Sequence, residues 1–266
     1  MPDRREAGFA LLIVLWSLVL LSLILTQVLS AGRGEAQLAS NLRASAVAEA
    51  VADGAVQDTI FHLLEPSSGH WPLQGRHRLA LAGGVAEVVV ENVSGKINPN
   101  QADATLLGAM LTLCGASTAT SAAITQAVLD WRAPPTAGDA SAAYRAAGLG
   151  YAPPGAPFET SDEIGLVIGM TPALRGCVLP HISVYQESET PSLSVADPFV
   201  ARALGVVARQ SGDAAAPDAG DGNDPTVTIT ATATGRGGGR FTRRATLRLV
   251  ADPRGRPFRI LDWQTL

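Results

Sequence analysis

The sequence predicts an α+β fold, in which one very long N-terminal helix packs on an antiparallel sheet and an all-helical domain is inserted between the strands. Three observations carry this. An apolar run from Phe9 to Leu29 is followed by apolar residues at helical spacing as far as Leu63. Strand patterns occupy residues 78–93 and return after residue 225. The stretch between them, 94–205, carries helix starts instead of strand alternation.

The run FALLIVLWSLVLLSLILTQVL is helical on length and composition. At about 1.5 Å per residue it extends roughly 31 Å, the thickness of a bilayer's hydrocarbon core. Ser17, Ser22 and Thr26 can donate to the helix's own carbonyls, so they do not spoil a span. Arg4 and Arg5 precede it and favour a cytoplasmic N-terminus. Past it, Leu38, Leu42, Ala46, Ala52, Val56, Ile60 and Leu63 keep one apolar face. Pro66, Ser67, Ser68 and Gly69 end the helix. One helix over 9–64, half lipophilic and half amphipathic, is expected.

Residues 78–82 and 85–93, joined by Gly83-Gly84, read as a β-hairpin. Residues 225–234, 240–250 and 257–263 read as three more strands, with turns at 235–239 and 252–255. Threonines 226, 228, 230, 232 and 234 alternate with Val227, Ile229, Ala231 and Ala233, the mark of a half-buried antiparallel strand. Between the two sets, helices are expected at about 102–113 and 117–131, then a Pro/Gly-rich loop to Pro157. Thr160 and Glu163 have capping-box spacing for a helix to Ile168, Thr171 and Pro172 open another, and a last one lies near 195–208. Residues 211–224 form a polar linker.

Composition narrows the function. Net charge is −4 over 266 residues, and of the 20 basic residues only Lys96 is lysine. The two glycine turns at Gly115 and Gly169 suggest helix-hairpin-helix units of the kind that bind DNA phosphates through backbone amides. The second glycine such loops carry is replaced here by Ser117 and Thr171. Residues 94–185 hold four basic and six acidic groups, a net −2 that repels DNA. No G-x-S-x-G, H-E-x-x-H or Walker loop is present, and the four histidines have no metal spacing. The expectation is therefore not an enzyme, and no nucleic acid partner. Cys114 and Cys177 allow one disulfide, favoured in an oxidising compartment, with a thiol nucleophile at Cys114 as the rival reading. Asp213, Asp218, Asp221, Asn223 and Asp224 offer hard oxygen donors for calcium without EF-hand spacing, so a solvated linker is the simpler reading.

Three readings compete for the N-terminus. It is a plain signal anchor, a secretory signal cut near Ser30-Ala31-Gly32, or a signal resembling that of type IV prepilins. The last rests on a short charged leader ending in Gly8, then Phe9, then an unbroken apolar helix. In such signals a membrane peptidase cuts after the glycine and the helix is retained.

Further motifs lie along the chain in order: GKINPNQAD at 95–103, VLDWR at 128–132, FETSDEIGLVIGMTPAL at 158–174, VLPHISVY at 178–185 and RILDW at 259–263. With Gly8-Phe9 they resemble the general secretion pathway protein K family, minor pseudopilins of the type II secretion system. The resemblance implies a pilin-like fold whose inserted helical domain is helix-hairpin-helix or SAM-like. Its parts are a leader at 1–8, the helix at 9–64, the first part of the sheet at 65–93, the insert at 94–205, and linker plus final strands at 206–266. It implies cleavage and N-methylation at Phe9 by the prepilin peptidase, a single-pass inner-membrane location with the bulk in the periplasm, and a place at the tip of the pseudopilus. Its partners would be other minor pseudopilins and the major pseudopilin. Most pilin-like subunits carry Glu at the fifth mature position; the fifth residue from Phe9 is Ile13, as expected of a first-inserted subunit with no neighbour to pair the charge. Relatives often carry an acidic run after the D-W motif that is linked to calcium. Here Arg132-Ala133-Pro134-Pro135 follows, leaving Asp130 and Asp139 as the candidate ligands. The N-x-N-T-A-like start of a last helix is also missing near 192–205.

Charge is segregated near the C-terminus. Residues 225–266 carry eight arginines against two acids, and 187–224 carry seven acids against two arginines. Either these segments neutralise each other, or Arg244 and Arg248 on the threonine face meet an acidic partner.

Overall fold

The computed structural model describes residues 4–134, 140–211, 224–250 and 255–266. Helix α1 runs from Arg4 to Leu64. Its C-terminal part lies on a five-stranded antiparallel sheet of order β1-β2-β3-β4-β5, formed by Gly75–Leu81, Gly84–Asn92, Thr226–Gly235, Arg240–Leu249 and Phe258–Thr265. Strand neighbours in sequence are neighbours in the sheet, so every connection is hairpin-like except β2 to β3. That link holds helices α2 (Ala104–Leu113), α3 (Thr118–Arg132), α4 (Ala140–Ala146), α5 (Pro172–Val178) and α6 (Pro198–Ser211).

Two separate cores follow. One joins Ala52, Val56, Ile60 and Leu63 of α1 to Val88, Val90, Ile229, Ala231 and Leu247 of the sheet. The other lies wholly within 97–207, around Leu107, Met110, Ile124, Trp131, Tyr144 and Val178. The alternation along β3 explains the first. Val227, Ile229, Ala231 and Ala233 are buried under α1, while the threonines between them face the other way. Alanines at 48, 52 and 55, all fully buried, bring the helix close to the strands. The Gly-rich 235–239 turn adds to that approach: a Cβ on Gly239 would lie 2.4 Å from the Ala44 carbonyl oxygen.

α1 leaves the sheet N-terminal to Ala44, and from Phe9 to Leu25 its large apolar side chains are 51–74% exposed. Among the described residues no helix is long and apolar enough to cross a membrane. The described side chains of the expected span end at Gln27. Ser17 and Thr26 donate to the carbonyls of Ile13 and Ser22, both at 2.8 Å, so their hydroxyls are satisfied within the helix.

Several local expectations shift. The capping box is real: Glu163 accepts from the Thr160 amide at 2.9 Å. It opens a 3-10 helix, Ser161–Leu166, rather than an α-helix to Ile168. Gly165 sits there against Arg175, whose Cδ would be 2.7 Å from an added Cβ. α4 falls where a Pro/Gly loop was expected. Its Tyr144, 2% exposed, explains it: the ring fills the helical core and the hydroxyl accepts from the Ile168 amide at 2.9 Å.

Candidate functional site

The motifs with the strongest sequence signal meet where the helical part joins the sheet. Ile97 pairs with Ile182 in a parallel bridge, with Ile97 donating to the His181 carbonyl at 2.9 Å and Ser183 donating back at 3.0 Å. Buried Asn98 donates to the carbonyls of Gln186 and, at 3.4 Å, Val184. Asn100 exchanges two hydrogen bonds with the Phe158 backbone, at 2.7 and 3.0 Å. Arg132 donates to the carbonyls of Pro99 and Ala102 at 2.7 and 2.9 Å, and Trp131 stacks on Phe158 at 5.5 Å. Asn-Pro-Asn, Asp-Trp-Arg and Pro-Phe-Glu thus form one lock. Side-chain amides and a guanidinium saturate carbonyls that no helix or sheet satisfies. Lys96 extends it to the sheet, donating to Glu91 at 2.9 Å and to the Pro180 carbonyl at 2.7 Å.

Both glycine turns are helix caps. Gly115 and Gly169 have φ of +91° and +88°. Ser117 accepts from the Thr120 amide and Thr171 from the Leu174 amide, each at 3.2 Å, so these side chains occupy the amides a phosphate would need. Cys114, the C-cap of α2, is joined to Cys177 of α5 by a disulfide with Cα atoms 5.9 Å apart. At the last helix, Asp197 does what the missing asparagines would do: Oδ1 accepts from the amides of Phe199 and Val200 at 2.8 and 3.0 Å. Its other oxygen meets His181 Nδ1 at 2.7 Å. Although burial opposes it, the His181 hydrogen bond and the two amides hold its carboxyl below the usual range.

The arginines of β4 divide between the faces of the sheet. Arg243 points to α1, where Nε donates to Asp53 at 2.6 Å and Nη2 to Glu49 at 2.9 Å. On the opposite face Arg248 pairs with Glu187, one case of the neutralisation expected between the two charged segments. Arg244, also on that face, has no hydrogen bond or ion pair among the described residues. It opens onto a cleft of about 420 Å³ between the sheet and the helical part, lined also by Tyr185, Thr228, Thr246 and Asp262. Burial, then Asp262, pushes the Tyr185 phenol up.

An aromatic stack closes the far end of α1. Trp71 lies between His62, with centroids 4.4 Å apart, and His77 of β1, 3.6 Å away. Burial, reinforced by nearby His62, holds His77 below the usual histidine value of 6.5, and its Nε2 is buried without a partner. In the unfolded chain this histidine takes its proton near pH 6.5, while the folded one takes it at lower pH. Stability from this group is therefore present above pH 6.5 and declines as pH falls below it. Denaturant midpoints between pH 7.5 and 5 should fall with acidity, and His77→Phe, which keeps the stack, should flatten that slope; an unchanged slope would assign it elsewhere.

Of the other residues singled out from sequence, Phe9 is 68% and Ile13 51% exposed on α1, and Gly8 lies in the same helix. Asp130 accepts from Gln126 at 2.8 Å. Asp139 lies outside the described residues, as do Asp213, Asp218, Asp221 and Asn223. Calcium needs six or more oxygens. Among the described residues no three His, Cys, Asp or Glu side chains are placed to share a metal. Sequence reasoning did not assign the Asn98–Asn100–Arg132 lock or the Arg243 clamp. The lock was signalled by the polar Asn-Pro-Asn run ahead of a helix; nothing in the sequence marks Arg243 apart from its neighbour Arg244 except strand parity.

The comparisons with known proteins bear on this same region. A family model described as Type II secretion system (T2SS), protein K, matches residues 78–187. A search of curated proteins finds no significant match. Among solved structures, one chain of the crystal structure of the GspK-GspI-GspJ complex from the enterotoxigenic Escherichia coli Type 2 Secretion System is similar in fold. The TM-score is 0.59 at 16% identity, over 89% of this chain and 99% of that one. At that identity the likeness speaks for the fold. The family match covers the end of β1, β2 and the lock, the segments that carry the ordered motifs, so over residues 78–187 the chain is similar to the type II secretion system protein K family.

Proposed function

We propose that the chain is a minor pseudopilin of the type II secretion system, serving assembly rather than catalysis. The single observation that carries this is α1: one helix packs its C-terminal part on the sheet and leaves the large apolar side chains of 9–25 uncovered. Such a surface needs lipid or other helices around it. A single-pass inner-membrane anchor with the sheet and helical part in the periplasm supplies the first, and a helical bundle with other pseudopilins the second. The disulfide suits an oxidising compartment. The solved structure similar in fold is itself a complex of GspK, GspI and GspJ, which supports other minor pseudopilins as partners.

The finer assignment places the chain at the fibre tip. A carboxylate in an apolar bundle costs several kcal/mol unless paired. Ile13, where most pilin-like subunits have Glu, suits a subunit with no neighbour ahead of it. The test uses chain purified from the inner membrane of cells expressing the secretion system. Prepilin peptidase processing leaves 258 of the 266 residues, beginning at N-methyl-Phe9, with other pseudopilins co-purifying. Gold-labelled antibody should mark one end of each fibre. A mature N-terminus near Arg33, or label along the whole fibre, overturns the respective part.

A further inference from the structure

The sheet face turned away from α1 carries five exposed arginines without a described role, Arg259 of β5 beside Arg248 and four more. Arg76 and Arg78 are on β1; Arg240 and Arg244 are on β4. None of their guanidinium groups makes a hydrogen bond or ion pair among the described residues. Register fixes their relation. Arg76 is opposite Val89, Val89 opposite Thr230, and Thr230 opposite Arg244, so the two arginines lie three strands apart in one cross-strand row that Gln264 of β5 continues. Three strand spacings of about 4.8 Å put the β1 and β4 backbones roughly 14 Å apart. Between them Val89, Thr230 and Thr232 form a half-buried floor, with the exposed Glu87 standing in it between Arg78 and Thr232; Thr232 shares a hydroxyl hydrogen bond of 3.2 Å with Thr242 of β4.

Edge protection explains arginines on β1, whose outer side has no strand. It does not explain those on β4, which lies between β3 and β5. Nor do the described residues cancel these charges. Glu91 is engaged by Lys96 and Arg248 by Glu187. Among the described residues, Glu87, opposite Arg78, and Asp262, at the margin by the helical part, are the acids left on this face, against five arginines.

We propose that this trough is a docking surface for an amphipathic α-helix of a partner protein, with a small-residue apolar stripe on the Val/Thr floor and carboxylates along both flanks. A helix about 10 Å across fits a channel of that width. An extended strand would reach only one rank of arginines. Opposed rows of guanidinium groups select acidic flanks, and exposure makes the interaction salt-sensitive. The surface is independent of the membrane and tip assignments.

The probes are three synthetic 18-residue peptides: a Glu-flanked Ala/Val-striped helix, the same helix with Lys flanks, and the Glu peptide broken by a central proline. Each is titrated by fluorescence anisotropy into the full-length chain in neutral detergent micelles. The Glu-flanked helix should bind. Raising salt from about 0.05 to 0.5 M, or making Arg76→Gln with Arg244→Gln, should each weaken it about tenfold. Arg76→Lys with Arg244→Lys should stay within about threefold. Both variants should keep the parent's circular dichroism, because neither arginine has a partner to lose. Equal binding of the Lys-flanked helix, equal binding of the broken peptide (an extended acidic segment as occupant), no binding at about 1 mM, or indifference to the Gln pair overturns the proposal.

Discussion

Replacing Cys114 and Cys177 together by serine should lower the stability of the helical part by about 4 kcal/mol while leaving the sheet in place. The two residues are 63 apart in sequence. Loop-closure entropy for a ring of that size gives about 4 kcal/mol by the chain-entropy account. The effect should be local because the two cores are separate: the bridge joins α2 to α5 within one, and α1 and the sheet close the other. Trp131 reports on the first and Trp263 on the second. Variants keeping one of these tryptophans at a time should show the Trp131 transition moving to lower denaturant and the Trp263 transition holding still. A reductant should reproduce the shift in the parent. If both transitions move together, the two parts unfold as one unit; if neither moves, the bridge adds nothing to stability.

The frame was legible in the sequence because it rests on periodicity. The threonine alternation in β3 gave the correct strand and the correct buried face, and the spacing of Ala52, Val56, Ile60 and Leu63 gave the correct face of α1. Helix starts were legible where a side chain caps its own helix, as at Ser117 and Thr171. What escaped depends on contacts between distant segments. α4 is a single turn or two of Ala-rich chain, held by Tyr144 reaching Ile168, and no local pattern announces that. The Thr160 capping box was read correctly, yet the helix it starts is 3-10, with Arg175 packed against its Gly165.

The candidate site was legible to a lesser degree. The motifs GKINPNQAD and VLDWR stood out, but they are joined through backbone carbonyls of Pro99, Ala102 and Gln186, partners that carry no side-chain signature. Charge bookkeeping expected the two charged segments to neutralise each other, and Arg248 with Glu187 is one such pair; the rival reading had sent Arg248, with Arg244, to an acidic partner. It grouped Arg244 with Arg248 and passed over Arg243, since net charge by segment does not distinguish the faces of a strand.

Arg243 is where loss of one side chain should most affect how α1 is held. It is the buried charged residue on the helix-facing side of the sheet, its side chain 8% exposed. Asp53 at 2.6 Å and Glu49 at 2.9 Å, one helical turn apart on α1, grip it from one side, and Thr265 of β5 accepts from Nη1 at 2.6 Å. Phe241 and Trp263 face the guanidinium at 4.8 and 5.3 Å. Asp53's hydrogen bond raises its pKa against the opposing effect of burial, so it stays charged throughout the working range. The two carboxylates are 49% and 39% exposed, so they return to water when the arginine is gone, and the full penalty of a stranded buried charge does not arise. What remains is the loss of charge-assisted hydrogen bonds and ring contacts, about 2–3 kcal/mol for Arg243→Met, which keeps most of the volume. Arg243→Lys should recover only part, since an ammonium cannot hold both carboxylates in the guanidinium's planar geometry. A cycle pairing Arg243→Met with Asp53→Asn isolates the ionic share. Amide exchange should quicken in α1 around residues 49–56 and in β4 but not in α2 or α3. A variant as stable as the parent, with unchanged exchange in α1, would show that alanine packing alone holds the helix to the sheet.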